Sequence, residues 1–215
     1  SAACAAELAT LDAWAAGRKL VVRADRIEPS KNLLRGFWAF DELLDRHHEW
    51  RGQVSFAAMV YPSRAGMADY LAYAQEAEAV VSYVNARWGT PDWTPITLQA
   101  EDNHARSVAA LRRSDVLLVN PVRDGLNLVA MEGPAINERS TGLVLSRQAG
   151  CWDALGDAAY GVNPFDVSQT ADAIDAALRA PEADRAGRAA ALKKAVASRS
   201  PLDWWDDLLL AAGGS

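Results

Sequence analysis

The chain reads as an α/β protein, a Rossmann-like parallel sheet with helices on both faces. Three observations carry that reading. Strand-like and helix-like patterns alternate almost from end to end, the order expected of a parallel sheet covered on both sides. The strand segments are continuous apolar runs, such as residues 115–119, rather than half-polar alternations. At 215 residues, with 50% hydrophobic and 23% charged side chains, the chain has the length and balance for one large domain with a real core.

In chain order, an Ala-rich helix over 4–16 leads into a strand at 19–24 and a turn at Glu28-Pro29. A helix follows to about Arg46, with Ser30 as its expected N-cap. Residues 53–61 form a second buried strand, and a long helix spans 66–88 with Leu71, Ala74, Ala77, Val81 and Val84 on its inner face. A turn over 89–95 precedes a short strand at 96–98, and Asp102 or Asn103 caps a helix to Arg113. The run 115–119 is the next strand, followed by Asp124-Gly125 and a helix from about Asn127. Short strands at 142–146 and 160–162 flank a short helix, and helices fill 168–179, 182–197 and 202–211. The one expected boundary, near Ser200-Pro201, gives a domain of residues 1–200 and a terminal helix in 201–215.

Bulk properties exclude some classes of function. The net charge of −6 argues against nucleic acid and against an anionic membrane surface. No apolar run approaches the ~20 residues that span a bilayer. The N-terminal segment carries Glu7 and Asp12 without a basic leader, so it reads as a helix rather than a signal peptide. Cys4 and Cys151 match no metal spacing and are expected as reduced thiols in a cytoplasmic protein. With only His47, His48 and His104, a His-rich metal site is not expected.

The chemistry concentrates after the strand at 115–119. A strand, a polar Gly turn and a helix start place unpaired backbone N–H groups at the carboxyl end of the sheet, where an anion can sit. Asp124 and Glu132 bracket that start. Carboxylates beside an anion site accept hydrogen bonds from hydroxyls, and phosphate beside sugar hydroxyls describes a sugar nucleotide. Arg26 and Lys31 flank the turn after the first strand, and two cations there can neutralise a diphosphate. The plainer alternatives are a surface pairing of Arg26 with Asp25 or Glu28, Asp124 as a turn former, and Glu132 as an acid favoured by the helix dipole.

The run from Arg123 to Glu132 resembles the nucleotide-sugar motif of the trehalose-6-phosphate synthases, retaining glycosyltransferases of the two-domain GT-B architecture. The likeness runs from about Leu20 to Leu178, and four further segments follow in the family's order. They begin at Arg26-Ile27-Glu28-Pro29-Ser30-Lys31, Tyr61-Pro62-Ser63-Arg64, Leu145-Ser146-Arg147 and Val162-Asn163-Pro164-Phe165. The resemblance implies that this chain is the second, donor-binding half of a GT-B fold, with the first domain absent. It implies glucosyl transfer from UDP-, GDP- or ADP-glucose to glucose 6-phosphate with retention, without a metal or other cofactor. Arg26 and Lys31 would hold the donor phosphates and act catalytically with Asp124, which would accept from the sugar hydroxyls. Gly125 would let the backbone come close to the sugar, and Leu126 would join the donor-binding residues. Asn127, Leu128 and Val129 would offer N–H groups to phosphate, and Glu132 would grip the ribose. Arg64 would reach the acceptor's phosphate.

Asn32 and Met131 depart from the Gly and Lys common in the family. The Trp204-Trp205 pair would pack toward the absent domain, whereas Trp38, Trp50, Trp88 and Trp93 suit helix packing and loop anchoring. Alternatives stay open: a related synthase or pseudo-glycosyltransferase with another acceptor, or a non-catalytic regulatory domain. A homo-oligomer is also compatible with the sequence.

Overall fold

The structure, a computed structural model, describes residues 1–63 and 67–198 together with Trp205, Leu209, Leu210 and Gly213. Among these residues six strands form one all-parallel sheet: β1 (Lys19–Ile27), β2 (Val54–Pro62), β3 (Ile96–Ala100), β4 (Val116–Val119), β5 (Gly142–Ser146) and β6 (Tyr160–Val162). Their order, β3-β2-β1-β4-β5-β6, is that of a doubly wound sheet. The chain winds outward from β1 to β3, returns, and winds the other way from β4 to β6. The strands that leave in opposite directions, β1 and β4, are neighbours, paired at Val21 with Val116 and Val22 with Leu117.

Alternation along β1 divides the core in two. Val21 and Ile27 join Phe37, Phe40, Val80, Val84, Ile174 and Leu178 under α2 (Leu33–Arg46), α3 (Ala68–Trp88) and α7 (Val167–Arg179). Leu20, Val22 and Ala24 face the other way, toward α1 (Ala2–Ala15), α4 (His104–Arg113), α5 (Leu128–Ile136) and α8 (Glu182–Ala197). A short α6 (Trp152–Leu155) lies between β5 and β6. Among the described residues no helix is long and apolar enough to cross a membrane. Both cysteines are free and buried.

Several expectations are corrected. Strand β1 runs on to Ile27 rather than ending at residue 24, so Arg26, paired across from Tyr61, lies within the strand. Helix α2 begins at Leu33, after a separate 3-10 turn over Pro29–Lys31, and its N-cap is Asn32, not Ser30. The Ser30 hydroxyl donates instead to Glu28 Oε1 at 3.1 Å. Leu71 is exposed, because the buried stripe of α3 is centred on Ala77, Val80 and Val84, with Tyr73 continuing it toward the N-terminus. Asn103, the second of the two caps considered for α4, accepts the Arg106 N–H at 3.0 Å. The expected helix at 202–211 and its Trp204 lie largely outside the described residues; Trp205, Leu209 and Leu210 are exposed.

Asn32 explains its own departure from glycine. It has φ 60° and ψ 43°, the left-handed conformation that glycine occupies without cost and asparagine tolerates best among other residues. Its buried side-chain amide then does what glycine cannot, donating to the Asn120 carbonyl at 2.9 Å and the Pro164 carbonyl at 2.7 Å. The loops leaving β1, β4 and β6 are tied through one side chain. Asn32→Gly relieves a small backbone penalty but orphans two buried carbonyls, each costing about 1–3 kcal/mol. The expected outcome is a net loss of about 1–3 kcal/mol, read from urea unfolding; unchanged stability would mean these carbonyls find water instead.

Candidate functional site

The carboxyl ends of β1 and β4 open into a cavity of about 630 Å³. In doubly wound sheets ligands bind at this point, where the chain reverses direction across the sheet. Arg26, Lys31, Asp124, Leu126, Asn127, Leu128, Val129 and Glu132 all line it. Eight of the ten residues singled out in the sequence therefore meet in one cleft. Gly125 lies between two of them, and a Cβ built on it would meet nothing within 4 Å. Arg64 lies outside the described residues.

The starts of α2 and α5 differ in how their first N–H groups are used. The Leu33 N–H at the start of α2 donates to the Tyr73 hydroxyl at 2.8 Å. Burial pushes the Tyr73 phenol up, so this oxygen stays a neutral hydroxyl. Helix α5 is different. Asn127, left-handed at φ 68°, caps it by accepting the Ala130 N–H at 3.0 Å. That cap leaves the first-turn N–H groups of Leu128 and Val129 at the cleft. With the positive end of the helix dipole behind them, they suit an anion. Leu128 is 61% exposed, so its apolar side chain stands clear of its own amide.

Charges come in opposed pairs around that terminus. Lys31 Nζ forms a close ion pair with Asp124 Oδ2, and Asn127 Nδ2 donates to the same oxygen at 3.1 Å. Burial alone would raise the Asp124 carboxyl, but hydrogen bonding and charge from Lys31, with help from Asn127 and the Leu126 N–H, hold it below the usual carboxylate range. Asp124 is thus ionised and acceptor-only at neutral pH. Arg26 pairs with Glu28 at 3.2 Å, one of the plainer partners considered for it, yet its side chain stays 46% exposed at the cleft edge. Glu132, one turn into α5, lines the same cavity.

Sequence reasoning missed part of this site. Asp25, Tyr61, His104, Ser107, Val108 and Leu111 also line the cavity. Asp25 is buried against Arg23, and burial pushes its carboxyl up against the pull of that guanidinium. The available signal was two charged residues, Arg23 and Asp25, spaced by two in an otherwise apolar strand and therefore on one face of it. Asp102 reaches the cavity, whereas the Asn103 side chain turns away to its cap and to Glu7. Among the described residues no three His, Cys, Asp or Glu side chains come together to hold a metal ion.

The loop carrying Asp124 is stitched to the loop after β5. The Asp124 N–H donates to the Gln148 carbonyl at 3.3 Å, Gly150 N–H to Asp124 at 3.0 Å and Cys151 N–H to Leu126 at 3.2 Å. Gly150 is where the absence of a side chain matters, because a Cβ there would collide with the Gly125 carbonyl. Burial pushes the Cys151 thiol to about 11, which removes it as a nucleophile at neutral pH.

The model of glycosyltransferase family 20 matches residues 4–212. A bifunctional trehalose-6-phosphate synthase/phosphatase of Thermoproteus tenax is 34% identical over 205 residues, covering 94% of this chain and 28% of the relative. A validamine 7-phosphate valienyltransferase of Streptomyces hygroscopicus is 34% identical over 195 residues, covering 91% of this chain and 38% of the relative. Among solved structures, the UDP-forming α,α-trehalose-phosphate synthase of Burkholderia xenovorans in complex with glucose-6-phosphate superposes with a TM-score of 0.90 at 32% identity. That match covers 98% of this chain and 48% of the solved one, so the chain spans about half its length.

Gly150→Ala is expected to lower stability by about 1–3 kcal/mol, the range for forcing atoms into a packed site. Thermal melting reads the loss, and an unchanged midpoint would show that the 124–126 loop yields freely.

Proposed function

The chain belongs to glycosyltransferase family 20, and on that premise we propose that it is the donor-binding half of a retaining glucosyltransferase. The proposed reaction moves glucose from a nucleoside-diphosphate glucose to the anomeric hydroxyl of glucose 6-phosphate, giving trehalose 6-phosphate. One observation carries the reading: Lys31 and Asp124, brought from separate loops, meet beside the N-terminus of α5, whose first amides lie at the cleft. A diphosphate and a hydroxylated sugar need these two groups side by side.

In this reading Lys31, Arg26 and the amides of Leu128 and Val129 surround the diphosphate. Charge grows on it as the bond from the anomeric carbon to the phosphate oxygen breaks. Donors already in place stabilise that growing charge without reorganising. Asp124, ionised and acceptor-only, takes hydrogen bonds from the sugar hydroxyls and releases Lys31 to phosphate. Glu132 accepts from both ribose hydroxyls. The acceptor hydroxyl attacks from the face the leaving group departs, and its proton passes to the leaving phosphate oxygen. Cations and a helix terminus supply the electrophilic help, so the proposal needs no metal.

The UDP-forming relatives favour UDP-glucose as donor, with GDP- and ADP-glucose as alternatives. Arg64 and a first domain beyond this chain complete the acceptor site in this proposal. In the same proposal the exposed Trp205, Leu209 and Leu210 face that domain, and the location is cytoplasmic. The identity to a valienyltransferase favours one second reading, a pseudo-glycosyltransferase joining cyclitols. A regulatory, non-catalytic role is the third.

Calorimetric titration with UDP-, GDP- and ADP-glucose tests the donor assignment. One of them is expected to bind without magnesium, and Lys31→Ala to weaken it about tenfold or more, as removal of a charged hydrogen-bonding partner does. Affinity untouched by that substitution would take Lys31 out of the site. Glu132→Gln is expected to weaken the ribonucleotide by about tenfold and its 2′-deoxy analogue far less, since only the former offers both hydroxyls. Equal losses would place Glu132 off the ribose.

A further inference from the structure

Beneath the Lys31 turn lies a charge that the proposed chemistry does not use. Arg23, in the middle of β1, is fully buried. Removing a guanidinium from water costs several kcal/mol unless its hydrogen bonds are replaced. Its Nε and Nη2 donate to Asp25 Oδ2 at 3.2 and 2.8 Å, and Nη2 also donates to the Lys31 carbonyl at 2.8 Å. The third nitrogen, Nη1, has no partner among the described residues and ends beside Gly36, 2.6 Å from where a Cβ would stand. The fork therefore bridges one carboxylate and one peptide, and that peptide belongs to the residue whose ammonium faces the cleft.

We infer that Arg23 is a positioning residue that fixes the Lys31 turn from below and holds Asp25 away from the Lys31 ammonium. This rests on the donor-site reading of the cleft. Within the turn Lys31 N–H donates to Glu28 and Asn32 N–H to Pro29, and the loops after β4 and β6 hold it from the side through Val122 N–H to the Ser30 carbonyl and through the Asn32 amide. Arg23 supplies the link to the strand. Asp25 borders the cavity and lies within electrostatic reach of both Lys31 and Asp124. Without the guanidinium, Asp25 could stay ionised only by drawing on Lys31, in competition with an incoming diphosphate. Lysine in place of Arg23 keeps a cation for Asp25 but loses the planar fork that serves two acceptors at once.

The test uses Arg23→Lys and Gly36→Ala, the second pushing on the guanidinium without changing any charge. Each is made alone and on the Lys31→Ala background, with uridine diphosphate as the calorimetric probe. Arg23→Lys should keep a near-native melting temperature and lose about tenfold in affinity, and that loss should disappear when Lys31 is already alanine, as expected of residues acting through one another. Gly36→Ala should lose less, with the same non-additivity. Equal losses on both backgrounds, or full affinity in Arg23→Lys, would overturn the inference and leave Arg23 a core ion. Amide exchange in the free chain is the ligand-independent arm. Arg23→Lys should speed exchange at Lys31 and Asn32 while core strand amides stay protected, and unchanged exchange there would overturn the inference as well. Absence of binding by the unsubstituted chain would instead count against the donor-site reading, with the exchange result still deciding what Arg23 does.

Discussion

Everything at the cleft depends on bringing Lys31 and Asp124 together from loops 93 positions apart in sequence. Opposite charges attract at any register, so attraction alone does not set their position. The sheet does, by placing β1 beside β4 and sending their following loops apart. Asn32 then ties the first loop to the Asn120 and Pro164 carbonyls, and the Gln148–Cys151 segment ties the second. A partly buried pair of this kind contributes little net stability, because desolvation offsets most of its attraction. Its worth is geometric: two charges of opposite sign are kept ready at a fixed spacing.

The architecture was legible because its signals are local. Apolar runs long enough for a buried strand, amphipathic segments long enough for a helix, and loops rich in Gly, Pro and Asn repeat along the chain. Strand β5 and helix α8 fall where their patterns put them. The run from Arg123 to Glu132 was legible for the same reason, since strand end, turn and helix start are contiguous. Errors gathered at the end of β1, where two signals conflicted. Ser30 is the better intrinsic cap, and Pro29 does open a helical turn, but one too tight to continue. Tertiary bonds to the Asn32 side chain set where α2 starts.

What stayed hidden was long-range. Nothing near Tyr73 in sequence indicates that its hydroxyl meets Leu33, 40 residues away. Nothing around Gly150 announces the Gly125 carbonyl beneath it. Arg23 and Asp25 were visible as charges in a strand, but their burial emerges only once α2 covers that face with Phe37 and Gly36. Sequence thus gave the residues that face the cleft more readily than those that hold them there, because the supporting contacts join elements far apart along the chain.

Tyr73 has a consequence for direction. Dinucleotide-binding domains with this strand order seat their pyrophosphate on the helix that follows β1. Here the first amide of that helix is already taken by a phenol, whereas the first residues of α5 line the cleft. A cleft with two live sockets is close to symmetric about its middle and could take an elongated ligand either way round. With the α2 and α5 starts unlike, that symmetry is lost, and in the proposed reading the phosphates belong at α5. A single hydroxyl, by occupying one helix start and not the other, gives the cleft a direction.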